Sequence, residues 1–404
     1  MKTRFAGDPN CGRGSTADGN ISPNNFTVNL LKALPVSFKT IFITFKKKAA
    51  FTMLPQLHSF KNIAIIQTAF LGDVALVLSL AQLLKNAAPG ADISLITTPA
   101  AASVANCATA LDTVISYDKR GKYAGFSGIS KFAQTLKKHE FDCIIAPHKS
   151  FRTALLTRFL KPEYSVGFKN AAGSFLYSET VEFPSHLHEI HRNLSLLKAF
   201  ENGEEFLKKA VPEVAMKIPA ADVEFSENFL LKNHITSDDV VIGIAPGSVW
   251  ATKRWRIEHF KTICAELLKS GFKVILTGGR EDRELCREII GNTRAINAAG
   301  ETTLPQTLAL LKKMSVLVCN DSAPTHLAGL VKCPVITIFG PTSPIFGFAP
   351  LGELDEILEN ETLQCRPCEI HGGNVCPIGT HECMKSIAPD LVFKTVEKVL
   401  KGIS

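Results

Sequence analysis

The stretch Lys61-Asn62-Ile63-Ala64-Ile65-Ile66-Gln67-Thr68-Ala69-Phe70-Leu71-Gly72-Asp73 decides the fold. Ile63 to Ile66 run apolar without alternation, the pattern of a strand buried on both faces of a parallel sheet. Gln67 to Gly72 read as a loop. Asp73 is then placed at a helix N-cap, followed by Val74, Val77, Leu78 and Ala81 at helical spacing until Pro89-Gly90 stops the element.

The same alternation continues downstream. Strands are expected at 93–96, 114–117 and 143–146, with helices over 100–108 and 130–138. A second series has strands at 240–245, 273–277, near Ala295, 315–319 and 335–339. Its helices carry Phe260, Ile263, Cys264, Leu267 and Leu268 on one face, then cover 281–290, 304–313 and 324–331. Residues 185–235 read as polar and helical and carry the junction. Alternating strands and helices build a parallel sheet covered on both faces. The expected class is α/β, with two Rossmann-like domains, 53–200 and 201–404, facing across a cleft behind an extension at 1–52.

Composition agrees with a globular chain: 404 residues, 46% apolar, 21% charged and 26 Phe. The net charge is +7, which raises nucleic acid or an anionic membrane as partners. Residues 1–52 hold eight basic and two acidic side chains, a charge of +6, so the remaining body is nearly neutral at +1. A nucleic-acid-binding protein carries its basic stripe on the folded body, so nucleic acid is excluded as a partner. Residues 7–25 read as disordered. Lys32, Pro35 and Lys39 interrupt the apolar residues of 26–45, which argues against a membrane span. Lys46–Lys48 suit a peripheral contact with anionic headgroups; the other reading is an extension with Met53 opening the domain.

Ligands of open α/β sheets bind beyond the carboxyl ends of the strands, so three loops carry the chemical reading. In the first, Gly72 permits a tight turn or a close backbone approach, and Asp73 is either a helix cap or a base. In the second, Ala245-Pro246-Gly247-Ser248-Val249-Trp250-Ala251-Thr252-Lys253-Arg254-Trp255, the Ser248 hydroxyl and the Lys253 and Arg254 cations suit phosphate oxygens. The other reading is a solvated loop with Trp255 packed on the domain. In the third, Cys319-Asn320-Asp321-Ser322-Ala323-Pro324-Thr325-His326, Asp321 and Ser322 can cap a helix whose exposed amides favour a diphosphate. His326 lies one turn in, facing either the ligand or the core.

These loops, with Phe339-Gly340-Pro341-Thr342-Ser343-Pro344, occur in the order found in the ADP-heptose:lipopolysaccharide heptosyltransferase family, glycosyltransferase family 9, which the chain resembles over about residues 61–402. The resemblance implies an inverting glycosyltransferase of GT-B type. Its front half would bind a lipid-linked saccharide acceptor and its back half an ADP-sugar donor, at the cytoplasmic face of a membrane. It implies Asp73 as the general base at the acceptor hydroxyl, beside Gly72, and Lys253 as the cation on the leaving diphosphate with Ser248 nearby. Asp321, Ser322, Thr325 and His326 would form the nucleotide-sugar loop. Members often place an acid after the strand that here ends at Thr277 to hold the ribose, and Glu281 is the candidate. No cofactor and no metal is expected. The alternatives are the same mechanism with another nucleotide sugar or acceptor, or a non-catalytic nucleotide-sugar-binding protein.

Cys365, Cys368, Cys376 and Cys383 are spaced C-x2-C-x7-C-x6-C, with His371 and His381 among them. That spacing could make a tetrahedral zinc site, or the segment is structural, the reading preferred here.

Overall fold

The computed structural model describes residues 53–208 and 211–403; the expectations for the extension lie outside the described residues. Among the described residues, twelve strands form two sheets of six, and every pairing between these strands is parallel. The front sheet holds β1 (Asn62–Ile66), β2 (Asp92–Thr97), β3 (Thr113–Ser116), β4 (Cys143–Ala146), β5 (Tyr164–Phe168) and β6 (Glu179–Val181) in the order β3-β2-β1-β4-β5-β6. The back sheet holds β7 (Val241–Ala245), β8 (Lys273–Leu276), β9 (Ile296–Asn297), β10 (Val316–Asn320), β11 (Val335–Phe339) and β12 (Glu356–Glu359) in the order β12-β11-β10-β7-β8-β9. Read from the first strand of each half, both orders are 3-2-1-4-5-6, the Rossmann arrangement.

The apolar run of β1 divides between two cores. Ile63 and Ile65 pack with Leu78 and Leu84 on one face. Ala64 and Ile66 pack with Ile96, Phe132 and Leu156 on the other. β7 repeats the division, with Ile242 and Ile244 beside Trp255 and Phe260 on one face and Val241 and Ala245 on the other. The described residues form one compact unit. Val104 and Cys107 of the front half enter a back-half core with Leu308, Leu311 and Leu327. The helix Leu71–Ala87 is buried on most sides because it packs on its own sheet and on the back-half helix Ala323–Leu330. Those contacts bring the loop after β1 to the loop after β10.

The structure moves some sequence-based boundaries. Phe70, not Asp73, occupies the N-cap of Leu71–Ala87, and Asp73 sits in its first turn with Oδ2 accepting the Phe70 N–H at 3.1 Å. The element expected at 281–290 is a 3-10 turn, Arg280–Asp282, followed by a helix, Arg283–Ile290. β5, β6 and β12 have no counterpart among the strands that the sequence predicts. No helix among the described residues is long and apolar enough to cross a membrane.

Candidate active site

Each loop reaches the cleft from the carboxyl end of a central strand. Asn320, at the end of β10, ties the second loop to the third: Oδ1 accepts the Trp255 N–H at 2.9 Å and Nδ2 donates to the Pro246 carbonyl at 2.8 Å. Trp255 is buried, and its indole N–H donates to the Ile387 carbonyl at 3.0 Å, so it anchors the loop. Lys253 is thereby aimed at Asp321, Nζ to Oδ2 at 2.6 Å, with only 12% and 8% of the two side chains exposed. Thr342, in the Gly340–Pro344 stretch, donates its hydroxyl to the same carboxylate oxygen at 2.7 Å. Asp321 therefore holds the lysine and does not cap the helix.

The N-terminus of the helix Ala323–Leu330 carries no side-chain cap. Ser322 stands at the cap position, but its hydroxyl donates to Asn320 and Gly247 carbonyls at 3.2 and 3.5 Å. Ser322, Ala323 and Pro324 line a cavity of about 390 Å³, which Ser248, Glu281 and Asp282 also border and which Leu71 reaches from the front half. An uncapped helix N-terminus on a cavity of that size fits a phosphorylated ligand. Two acids follow Thr277 here. Asp282 accepts the Gly279 N–H at 3.0 Å and lies against Gly247 and Gly278, where no Cβ would fit; burial raises its pKa. Thr325 is not brought to this cavity: its hydroxyl bonds Thr337 at 3.1 Å inside the domain. A groove of about 1230 Å³ beside β9 holds none of these residues.

Gly72 makes the close approach. A Cβ there would lie 2.8 Å from His326 Cδ2 and 3.8 Å from the Ala323 backbone, so the two halves touch at this glycine. Burial pushes the His326 pKa down to about 4, so the ring is neutral near pH 7. We expect Gly72→Ala to displace His326 and to cost about 1–3 kcal/mol through overpacking, with a fall in turnover. Melting temperature and kcat, measured together, check this; an unchanged kcat would remove the contact from the site.

Asp73 is half-buried beside this contact. Burial raises its carboxyl pKa, while the Phe70 N–H and the charge of His371 act in the opposite direction. The segment read as a polar junction supplies a second carboxylate: burial first, then the charge of Asp73, raises the pKa of Glu189. Glu189 pairs with Arg192 at 3.2 Å, and Arg192 donates to the Phe346 carbonyl at 2.9 Å across the cleft. A further polar cluster joins the ends of β1 and β4, where the His148 ring bonds Thr68 and Thr153 at 3.0 Å each and Lys119 donates to the Thr68 carbonyl. Sequence reasoning missed Lys119, His148, Glu189 and Arg192. The one available signal was the run of His and charged residues at 186–192.

Cys365, Cys368, Cys376 and Cys383 line one small cavity with His381 and Thr252. Among the described residues, no group of three or more His, Cys, Asp or Glu side chains is arranged to hold a metal ion.

The family model for glycosyltransferase family 9 (heptosyltransferase) matches residues 129–374. The chain is 26% identical over 281 residues to lipooligosaccharide heptosyltransferase 2 of Campylobacter jejuni, across 67% of this chain and 80% of that protein. It is 26% identical over 313 residues to the lipopolysaccharide core heptosyltransferase OpsX of Haemophilus influenzae, across 74% and 84%. The solved structure of E. coli ADP-heptose lps heptosyltransferase II superposes with a TM-score of 0.71 at 20% identity, over 85% of this chain and 99% of that one. Two facing Rossmann-like sheets of GT-B type and a match over most of the chain lead to one conclusion: the protein is a glycosyltransferase and belongs to glycosyltransferase family 9, the heptosyltransferase family.

Proposed function

We propose that the protein transfers heptose from ADP-heptose to the inner core of lipopolysaccharide, with inversion at the anomeric carbon. The observation that carries this reading is the buried Lys253–Asp321 pair beside an uncapped helix N-terminus, opposite Asp73. The names of the relatives support heptose as the sugar and the lipopolysaccharide core as the acceptor. ADP-heptose as donor is supported by the E. coli structure's title.

The donor diphosphate lies at the N-terminus of Ala323–Leu330, with the nucleoside in the cavity bordered by Ser248, Glu281 and Ser322. The acceptor enters from the front half. Asp73 takes the proton of the acceptor hydroxyl as its oxygen attacks the anomeric carbon. The bond from that carbon to the diphosphate oxygen breaks, and Lys253 and the helix amides take up the charge on departing ADP. Asp321 fixes the ammonium where that charge develops, so little reorganisation accompanies the step. A lipid-linked acceptor calls for a peripheral contact with the inner face of the cytoplasmic membrane.

The test is thermal stabilisation by ADP-heptose and by UDP-, GDP- and CMP-sugars at equal concentrations. A ligand at 100 times its Kd adds about 2.7 kcal/mol, enough to rank the four. ADP-heptose is expected to raise the melting temperature most. A larger shift with another nucleotide sugar would overturn the donor assignment, and a product that retains the donor's anomeric configuration would overturn direct displacement.

A further inference from the structure

The Cys-rich segment 365–383 is the one motif that the mechanism leaves unused, and it lies on the turn that carries Lys253. Thr252, the residue before that lysine, is buried and gives all its polar groups to this segment. Its N–H donates to the Gly373 carbonyl at 3.0 Å, and its hydroxyl donates to the same carbonyl at 2.9 Å. Its Oγ1 accepts the Gly373 N–H at 2.8 Å. Its carbonyl faces His381 Nε2 at 2.6 Å. A carbonyl only accepts, so Nε2 carries the proton and His381 donates.

Gly372 forms the seat for the lysine stem. Its φ is +82°, and a Cβ there would lie 3.1 Å from Lys253 Cγ and 3.3 Å from Thr252 Oγ1. The ammonium at the far end of that stem then meets Asp321. His381 is itself held in place, because its backbone N–H donates to Cys376 Sγ at 3.4 Å. The same segment grips the other side of the pair. Cys368 N–H donates to the Pro341 carbonyl at 2.8 Å, and Arg366 donates to the Gly340 carbonyl and, at 2.7 Å, to that of Thr342, whose hydroxyl bonds Asp321. One strap thus holds the backbone beneath both Lys253 and its partner.

We propose that His381, Gly372 and Gly373 are positioning residues that act through Lys253: the strap fixes the Thr252–Lys253 turn so that the ammonium meets the donor diphosphate. This rests on the reading of Lys253 as the diphosphate cation. Loss of one buried hydrogen bond of this kind changes an equilibrium roughly tenfold. His381→Ala is therefore expected to raise the Kd for ADP and the donor KM roughly tenfold. Acceptor KM stays near the parent value, and His381→Gln, which keeps an N–H donor, recovers most of the loss.

The decisive measurement is the same substitution in a Lys253→Ala background, with ADP binding by calorimetry. Residues that act through Lys253 lose their effect once it is gone, so His381→Ala should then change the Kd less than twofold. A tenfold effect that persists without Lys253, or no effect in its presence, overturns the proposal. If His381→Ala lowers the yield of folded protein, Thr252→Val, which removes the hydroxyl at similar volume, is run through the same cycle with the same criteria. If Lys253→Ala itself leaves ADP affinity unchanged, the phosphate-site reading falls and this inference with it. If Lys253→Ala weakens ADP binding while His381→Ala and Thr252→Val do not, only the strap assignment falls.

Discussion

Asp73→Asn is expected to reduce kcat by roughly 10²- to 10⁴-fold, the usual contribution of a general base, while ADP affinity stays within about twofold of the parent. The separation follows from placement: Asp73 lies in the first turn of the front-half helix, and the groups proposed to meet the diphosphate lie on the loops after β7 and β10. Asparagine retains an oxygen to accept the Phe70 N–H, so the turn is kept and the loss is chemical. The pH profile gives a second readout. Burial raises the Asp73 pKa above 3.8, and a base works only when deprotonated. Activity should therefore fall as pH drops through that raised value, with its acid limb above the range of an exposed aspartate. Burial sends His326 the other way, down to about 4, and that titration is untouched by substitution of Asp73. In Asp73→Asn the residual rate should lack the limb that Asp73 sets. A variant that keeps parental turnover, or an unchanged limb, would remove Asp73 as the base.

The parts legible in the sequence are those where one local pattern determines one outcome. β1, β4, β7 and β11 are apolar runs because both faces are covered, and their boundaries lie within a residue of the expected ones. β6 and β12 lie at sheet edges, where a strand need not be apolar: Glu179-Thr180-Val181 and Glu356-Ile357-Leu358-Glu359 carry charges and look like loop. β5 contains Gly167, and the Tyr177 ring fills the space where a side chain would be. That packing is long-range, and the sequence of the strand alone carries no mark of it.

The site divides in the same way. Lys253 and Asp321 are each visible as a charged residue on a strand-end loop, yet their union at 2.6 Å depends on β7 lying beside β10. Gly72 is legible as a place for a tight turn or a close approach, but the choice between them, and His326 as the partner, comes from helix packing across the cleft. Glu189 and Arg192 are invisible as site residues because they lie in a segment whose polarity suggests a junction. Only the fold turns them toward Asp73 and the Phe346 carbonyl.

Lys253→Ala should lower kcat/KM for the donor by about 10²- to 10³-fold, the scale of removing one preorganised group from a developing negative charge. It should also weaken ADP binding, since the product bears the same diphosphate. The structure adds a stability effect. Removing the lysine leaves Asp321 buried with only the Thr342 hydroxyl, and breaking a buried pair from one side costs about 3 kcal/mol. A catalytic loss in Lys253→Ala could thus be confused with partial unfolding. Lys253→Met combined with Asp321→Asn separates them, because the double variant removes both charges, keeps the lysine stem's volume and leaves the Thr342 hydroxyl an acceptor. It should regain most of the lost melting temperature and recover none of the activity. If activity returned with stability, Lys253 would be a structural partner of Asp321 and the diphosphate charge would have to be met by the helix amides and Arg254.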